Sequence, residues 1–282
     1  MTQAETVRHQ RASGRAQLSF RCDERGRSVL DDLYQQAPCR VLFPQVEAGE
    51  PPQAVLLTTT GGLTGGDEVR FSIEVGVGAS ATVTTQAAEK LYRALPTDAD
   101  TRIEFSVRAA RDSWLECLAQ ETILFDQARL RRRFDVELEA GARLLAVESL
   151  VFGRTAMNER FRQGRVHDAW RVRRDGQLIW ADAWHLDGDI EALRAAPFGF
   201  GTAVASATVL YVGDEVPRLL GEVRRVLDGD RHAGASGFEH FLLVRLLDDD
   251  AARLRTRLMH IATTLRAAAA GLPPRLPRVW TC

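Results

Sequence analysis

Most of the chain alternates apolar and polar residues in short runs, and only near its C-terminal end does the spacing become helical. The clearest run, Phe71-Ser-Ile73-Glu-Val75-Gly-Val77, has a period of two that puts its apolar side chains on one face of a strand. After Gly78 the alternation resumes in Ala79-Ser-Ala81-Thr-Val83-Thr, whose threonines suit a pleated, partly solvated face. The phrase then recurs. Ile103-Glu-Phe105-Ser-Val107 leads through Arg111-Asp112 to Trp114-Leu115-Glu-Cys117, and Phe134-Asp-Val136-Glu-Leu138 leads through Gly141 to Ala142-Arg-Leu144-Leu145-Ala146. Units of strand, turn and strand spaced by about 30 residues predict stacked sheet layers, a β-helix-like, irregular solenoid, and not isolated hairpins. Asp175-Gly176, set between Trp170-Arg-Val172 and Leu178-Ile-Trp180, predicts a further strand pair closed by a tight turn.

The character changes after about residue 213. Val216-Pro217 opens a segment with Leu219, Leu220, Val223, Val226 and Leu227 at helical spacing, and the proline falls in the first turn. Asp248-Asp-Asp250 supplies capping acids before Leu254, Leu258, Ile261 and Leu265, and Gly271 with Pro273-Pro274 ends that helix. Phe241–Leu247 between them reads as a buried strand. The expected fold is therefore mainly β, with stacked sheets and a C-terminal pair of α-helices. Residues 1–16 are polar and rich in Arg and Gln, and read as a flexible N-terminus. Residues 17–282 read as a single domain, a β body over about 17–213 and a helix-containing part over about 214–282.

Composition narrows the setting. The chain has 282 residues, 45% hydrophobic and 27% charged, enough to bury a sizeable core. Its net charge of −1 gives no electrostatic case for nucleic acid. No stretch reaches the roughly 18 apolar residues of a membrane span, and the N-terminus has no signal-peptide core. Cys22, Cys39, Cys117 and Cys282 are too dispersed for a zinc knuckle or a disulfide framework. A soluble, reducing, cytoplasmic setting is expected. Lys90 is the only lysine among 37 basic residues, a hint that position 90 requires an ammonium.

The least ordinary segment is Thr58-Thr-Thr-Gly61-Gly62-Leu63-Thr64-Gly65-Gly66-Asp67. It is no phosphate cradle: a P-loop requires G-x-x-x-x-G-K-[ST] entering a helix, whereas Asp67 here precedes a strand. Two readings remain, a structural turn that exploits glycine backbone freedom, or a surface where Asp67 meets a cation. The six histidines (His9, His167, His185, His232, His240, His260) form neither H-x-H nor H-x-x-x-H, so no high-affinity metal store is expected.

The turn Gly61, Gly62, Gly65, Gly66, Asp67, followed by Thr84-Thr85-Gln86-Ala-Ala-Glu89-Lys90-Leu-Tyr92-Arg93, resembles the paired signature of the UreD/UreH urease accessory family. Gln120-Glu121-Thr-Ile-Leu-Phe125, Phe152-Gly153-Arg154 and Pro277-Arg-Val-Trp280 follow in the family's order, so the resemblance runs from about Leu18 to Trp280. Glu116-Cys-Leu-Ala119 departs from it, where relatives often read Trp-Leu-Pro. The resemblance implies a β-helix-like body with a C-terminal helical part and a non-enzymatic scaffold. It also implies that the scaffold joins UreF and, through it, the GTPase UreG, to help nickel reach apo-urease.

In such a setting no tightly bound cofactor is expected, but a transient Ni2+ requires weak, exchangeable oxygen ligands. Asp67 and Glu68 follow the glycine turn; Glu148 and Asp182 interrupt apolar runs, where a buried acid must be paired, hydrated or metal-bound. These four are the candidate lining of a wet path, with exposure or pairing to arginine as the plainer alternative. Glu89 and Lys90 read either as a surface ion pair or as an interaction surface. The leucine stripe of the last helix reads as core, or, with Arg253, Arg255, Arg257 and Arg266 around it, as a docking face for a helical partner. From a different class, a β-solenoid carbohydrate-active enzyme would use a carboxylate pair in a sugar-binding cleft.

Overall fold

The computed structural model describes residues 10–281. The first strands are β1 (Ser13–Cys22), β2 (Ser28–Gln36), β3 (Cys39–Leu42), β4 (Gln53–Thr58), β5 (Glu68–Val75), β6 (Ser80–Thr85) and β7 (Glu89–Leu91). The central ones are β8 (Thr101–Ala109), β9 (Trp114–Leu118), β10 (Thr122–Leu124), β11 (Arg129–Leu138), β12 (Arg143–Phe152), β13 (Gln163–Arg174) and β14 (Gln177–Asp189). A short helix α1 (Ile190–Ala195) leads to β15 (Ala205–Val212), α2 (Val216–Val226), β16 (Ala233–Gly237), β17 (Phe241–Asp248) and α3 (Ala251–Ala270).

These strands form two sheets. One has the order β14-β13-β11-β8-β5-β1-β2; the other runs β16-β17-β15-β12-β9-β6-β4-β3, with β7 and β10 as a short ledge beside it. Each repeated phrase gives one strand to each sheet, and equivalent strands pair in parallel: Phe71 with Phe105, Phe105 with Phe134, and Ala81 with Leu115. Parallel neighbours cannot be joined by a tight hairpin, so the chain crosses to the opposite sheet before it returns. Antiparallel pairs flank this parallel centre, β1–β2 and β3–β4 at one end, β13–β14 and β15–β17–β16 at the other. The protein is mainly β in mixed sheets, with few helices and a long C-terminal one.

The main core lies between the sheets. Parallel register stacks like residues, so Phe71, Phe105, Phe134 and Trp170 form an aromatic column with successive ring centroids 5.1, 5.9 and 4.5 Å apart. A second core fills the space between the outer face of the β12–β15–β17 sheet and helices α2 and α3, which explains why β15 is buried at every position.

Four expectations are corrected. Ser13–Ala16 already belong to β1, and Ala16 is fully buried, so ordered structure begins before residue 17; residues 1–9 lie outside the described residues, as does Cys282. Val77 is exposed in the turn after β5 and does not share its buried face. Thr82 and Thr84 of β6 face no solvent: they are buried and bonded, to Glu116 Oε2 (2.5 Å) and the Leu118 carbonyl (2.6 Å), because the C-terminal segment covers that face. The stripe of Leu254, Leu258, Ile261 and Leu265 is buried in the second core, and its arginines serve their own chain, so it is no free docking face. Arg253 and Arg257 hold Asp248, and Arg255 holds Glu121 and the Trp280 carbonyl.

Arg266 is fully buried. Its Nε donates to Glu116 Oε1 on β9 (2.7 Å), a guanidinium NH2 pairs with Glu50, and the remaining donors reach the Pro273 (3.0 Å) and Arg275 (2.5 Å) carbonyls. One side chain thus fastens α3 and the C-terminal segment to the β body. Removing it leaves Glu116 without its cation in a dry site and Glu50 with Arg275 alone, so Arg266→Leu should cost about 3–5 kcal/mol. Urea denaturation checks this; a midpoint within error of the parent would show that the network is dispensable.

Candidate functional site

The two halves of the sequence signature, some twenty residues apart, form one structural unit. Leu63 pairs with Leu91 as an added bridge on the β7 ledge, its N–H donating to the Lys90 carbonyl (2.8 Å) and its carbonyl accepting from Tyr92 N–H (2.8 Å). Tyr92 Oη donates to the Gly61 carbonyl (2.9 Å), and Thr64 Oγ1 to the Arg93 carbonyl (2.9 Å). Gly62 has φ +143°, and a Cβ there would lie 2.5 Å from the Tyr92 ring, so only glycine permits this approach. Asp67 closes the turn: Oδ2 accepts from Thr64 N–H and Oδ1 from Ala12 N–H, both at 2.8 Å. Its carboxylate is 5% exposed and both oxygens are engaged, which favours the structural reading of this turn.

The remaining signature residues surround the same ledge. Thr85 Oγ1 accepts from Gln120 N–H (2.9 Å), and the Gln120 amide donates to the carbonyls of Thr85 (2.9 Å) and Val279 (3.1 Å). Trp280 Nε1 donates to Thr84 Oγ1 (3.1 Å). Phe125 packs edge-on against Tyr92 (4.9 Å), with the Arg154 guanidinium 4.3 Å above its ring. The segments at 61–67, 84–93, 120–125, 152–154 and 277–280 therefore meet on one side of the molecule.

Behind the ledge, a cavity of about 430 Å³ opens between the sheets. Gly61, Gly62 and Gln86–Lys90 line its mouth, Leu56, Val69, Phe71, Ile103 and Phe105 its walls, and Arg132 its inner end. A smaller space of about 40 Å³ continues past Arg132 to Glu148 and Trp170. Among the described residues Glu89 and Lys90 form no ion pair with each other; Glu89 instead accepts from Thr58 Oγ1 (3.3 Å). Burial pushes the Glu89 carboxyl up to about 7, against the opposing hydrogen bonds from Thr58 and the Lys90 N–H.

At the inner end, Arg132 donates to Asp168 through Nε (3.0 Å) and NH2 (2.5 Å), and to Thr122 Oγ1 (2.9 Å). Glu148 lies 3.0 Å from the same NH2 and accepts from Trp170 Nε1 (3.1 Å). Two buried acids thus share one buried cation. Burial raises the Glu148 carboxyl well above the ordinary range; Arg132 pulls it down, while the neighbouring Asp168 pushes it further up.

The four acids read as a possible path have separate partners. Asp67 is held by backbone N–H groups, Glu68 pairs with Arg70 and Arg102 on the outer sheet face, and Asp182 pairs with Arg245. Only Glu148 lines the interior spaces just described. Among the described residues no three His, Cys, Asp or Glu side chains gather into a metal-holding group. Glu89 and Lys90, which the sequence offered as a surface ion pair or an interaction surface, and Arg132, one arginine in a run of three, are the charged residues that line the larger cavity.

These observations define a class: a two-sheet β protein whose diagnostic segments converge around the mouth of one interior cavity. The UreD urease accessory protein family matches residues 12–281, and the chain belongs to it. It is 41% identical to the urease accessory protein UreD of Rhizobium rhizogenes over 277 residues, covering 98% of each chain. It is 41% identical to that of Magnetococcus marinus, covering 96% of this chain and 94% of the relative, and 42% identical to that of Mesorhizobium japonicum, covering 96% and 95%. Nothing in these likenesses supports a carbohydrate-active enzyme. Among the described residues no helix is long and apolar enough to cross a membrane.

Because burial raises Glu89 above an ordinary carboxylate, the folded protein holds its proton where the unfolded chain has released it. That contribution to stability is complete below about pH 4.5 and is lost as pH rises through about 7. Glu89→Gln, permanently neutral, should therefore lose less stability than the parent between about pH 5 and about pH 8 in urea unfolding. Parallel profiles for the two proteins would mean that Glu89 ionises freely at the mouth.

Proposed function

We propose that this protein is a urease maturation factor, a non-enzymatic scaffold that works with UreF and the GTPase UreG to assist nickel insertion into apo-urease in the cytoplasm. The observation that carries this reading is the family match over nearly the whole chain, together with the convergence of the family's segments on one face. The glycine turn pins itself with Asp67 and runs into a strand, which suits a scaffold whose nucleotide chemistry resides in a partner. No tightly bound cofactor is part of the proposal. A transient Ni2+ is, and the cavity offers oxygen ligands for it, Glu89 at the mouth and Glu148 at the inner end. Carboxylates bind a borderline cation loosely and release it, whereas a Cys/His cage would retain it. Asp67, Glu68 and Asp182 then serve as struts along the body.

The test is to express apo-urease with the other accessory proteins and nickel, with and without this chain, and to measure urease activity and bound nickel. Both should rise only when the chain is present; equal activity without it would sink the maturation role. The double variant Glu89→Gln/Glu148→Gln should still join the complex yet lower the nickel content of urease severalfold. Full activation by that variant would remove the cavity route while leaving the scaffold role intact.

A further inference from the structure

The β13–β14 hairpin brings together two histidines that lie far apart in sequence. His167 and His185 are directly opposed in the antiparallel register, with ring centroids 6.0 Å apart and planes at 70°. Their neighbours Asp168 and Leu186 are buried, so the alternation of the strands turns both imidazoles to the outer face of the sheet. His185 is exposed and His167 half-buried. Among the described residues neither ring has a hydrogen-bond partner, and the one aromatic ring each meets is the other.

We infer that His167 and His185 form a two-imidazole chelate for a divalent transition cation of the nickel, copper and zinc type, on the outer sheet face and separate from the interior cavity. Imidazole nitrogen is the ligand these borderline cations prefer, and magnesium and calcium do not. Two rings that bind one ion through nitrogens at about 2.0–2.1 Å place their centroids about 4.5–5.2 Å apart for ligand angles of about 90–109°. Rotation of the exposed His185 side chain toward the half-buried His167 would close the observed separation to that range on the same backbone. A sheet fixes the two Cα positions, so the second imidazole binds without a further loss of chain entropy.

The surrounding charges set the limits of the site. Arg131 on β11 lies beside His167 in the parallel register and is exposed, which weakens the hold on a cation. Arg165 and Asp187, the next pair along the same face, neutralise each other at 3.2 Å. Water completes the coordination on the open side. A bidentate, solvent-facing site of this kind exchanges its ion readily and does not store it. The site rests on imidazole chemistry alone and stands or falls independently of the role in urease maturation.

Equilibrium dialysis of the tag-free full chain against nickel chloride, in a non-coordinating buffer, tests it without urease present. One equivalent should bind near neutral pH and resist excess magnesium. His167→Gln and His185→Gln should each weaken that equivalent about tenfold or more, since either change leaves a single ligand. Both positions face outward, so an unchanged circular dichroism spectrum and thermal transition establish that the variants are folded. Nickel-induced broadening of the His167 and His185 imidazole resonances in the parent gives a second, site-specific reading. An unchanged equivalent in the double variant, or displacement by magnesium, would overturn the assignment in favour of a carboxylate site. Failure of the parent to bind any nickel would overturn it outright.

Discussion

The architecture depends on one buried cation. A parallel two-sheet body can bury the inner faces of its strands against each other, but the outer face of the β12–β15–β17 sheet is apolar too and must be covered. Helix α3 supplies that cover, and Arg266 secures it by placing a guanidinium between Glu116 of β9 and Glu50 of the β3–β4 connection while bonding the Pro273 and Arg275 carbonyls. Apolar contact alone is non-directional, whereas a planar guanidinium with five donors fixes helix, sheet and tail in one geometry. The tail so placed delivers Trp280 to Thr84 and the Val279 carbonyl to Gln120. The C-terminal segment therefore reaches the ledge at the cavity mouth because of an arginine buried on the helix that precedes it.

The signature at the ledge follows a similar logic of shared positions. Gly62 exists for Tyr92, whose ring occupies the space a Cβ would fill, and Tyr92 in turn returns a hydrogen bond to Gly61. Neither segment explains itself alone: a glycine pair in isolation is a flexible turn, and Glu89–Leu91 is too short to hold as a strand without Leu63 on one side and β10 on the other. Their coupling gives the cavity a defined rim.

Regular alternation made the body legible from sequence. The period-two runs around Phe71, Phe105 and Phe134 became β5, β8 and β11 because the two faces of each strand meet different environments, and the stepwise leucines of α3 were equally plain. What escaped was set by partners distant in the chain. Thr82 and Thr84 look like solvated strand residues until Glu116 and Trp280 are placed beside them. Arg266 reads as a surface charge because its two carboxylates lie far upstream. β16, with the sequence Ala-Gly-Ala-Ser-Gly, carries no apolar alternation and forms only because β17 offers an edge. The His167–His185 pair is invisible to local motif rules, since a hairpin centred on Asp175-Gly176 creates it.

The interior acids show why the candidate site was only half legible. Glu148, Asp182 and Asp67 all interrupt or border apolar sequence, and each could have been read as a ligand or as a strut. Their surroundings separate them: Asp67 has two N–H donors and Asp182 a guanidinium of its own, so each has its demand met. Glu148 must share Arg132 with Asp168, whose hold on that guanidinium is bidentate. A second carboxylate beside an already paired cation gains less than it loses by desolvation, so it retains a proton or accepts another positive charge. Glu89 at the rim is driven the same way by burial, with only a hydroxyl and an N–H to favour its anion. The cavity and the space behind it therefore carry one such carboxyl at each end, Glu89 beside Lys90 at the mouth and Glu148 beyond Arg132, along walls of mixed apolar, hydroxyl and amide side chains.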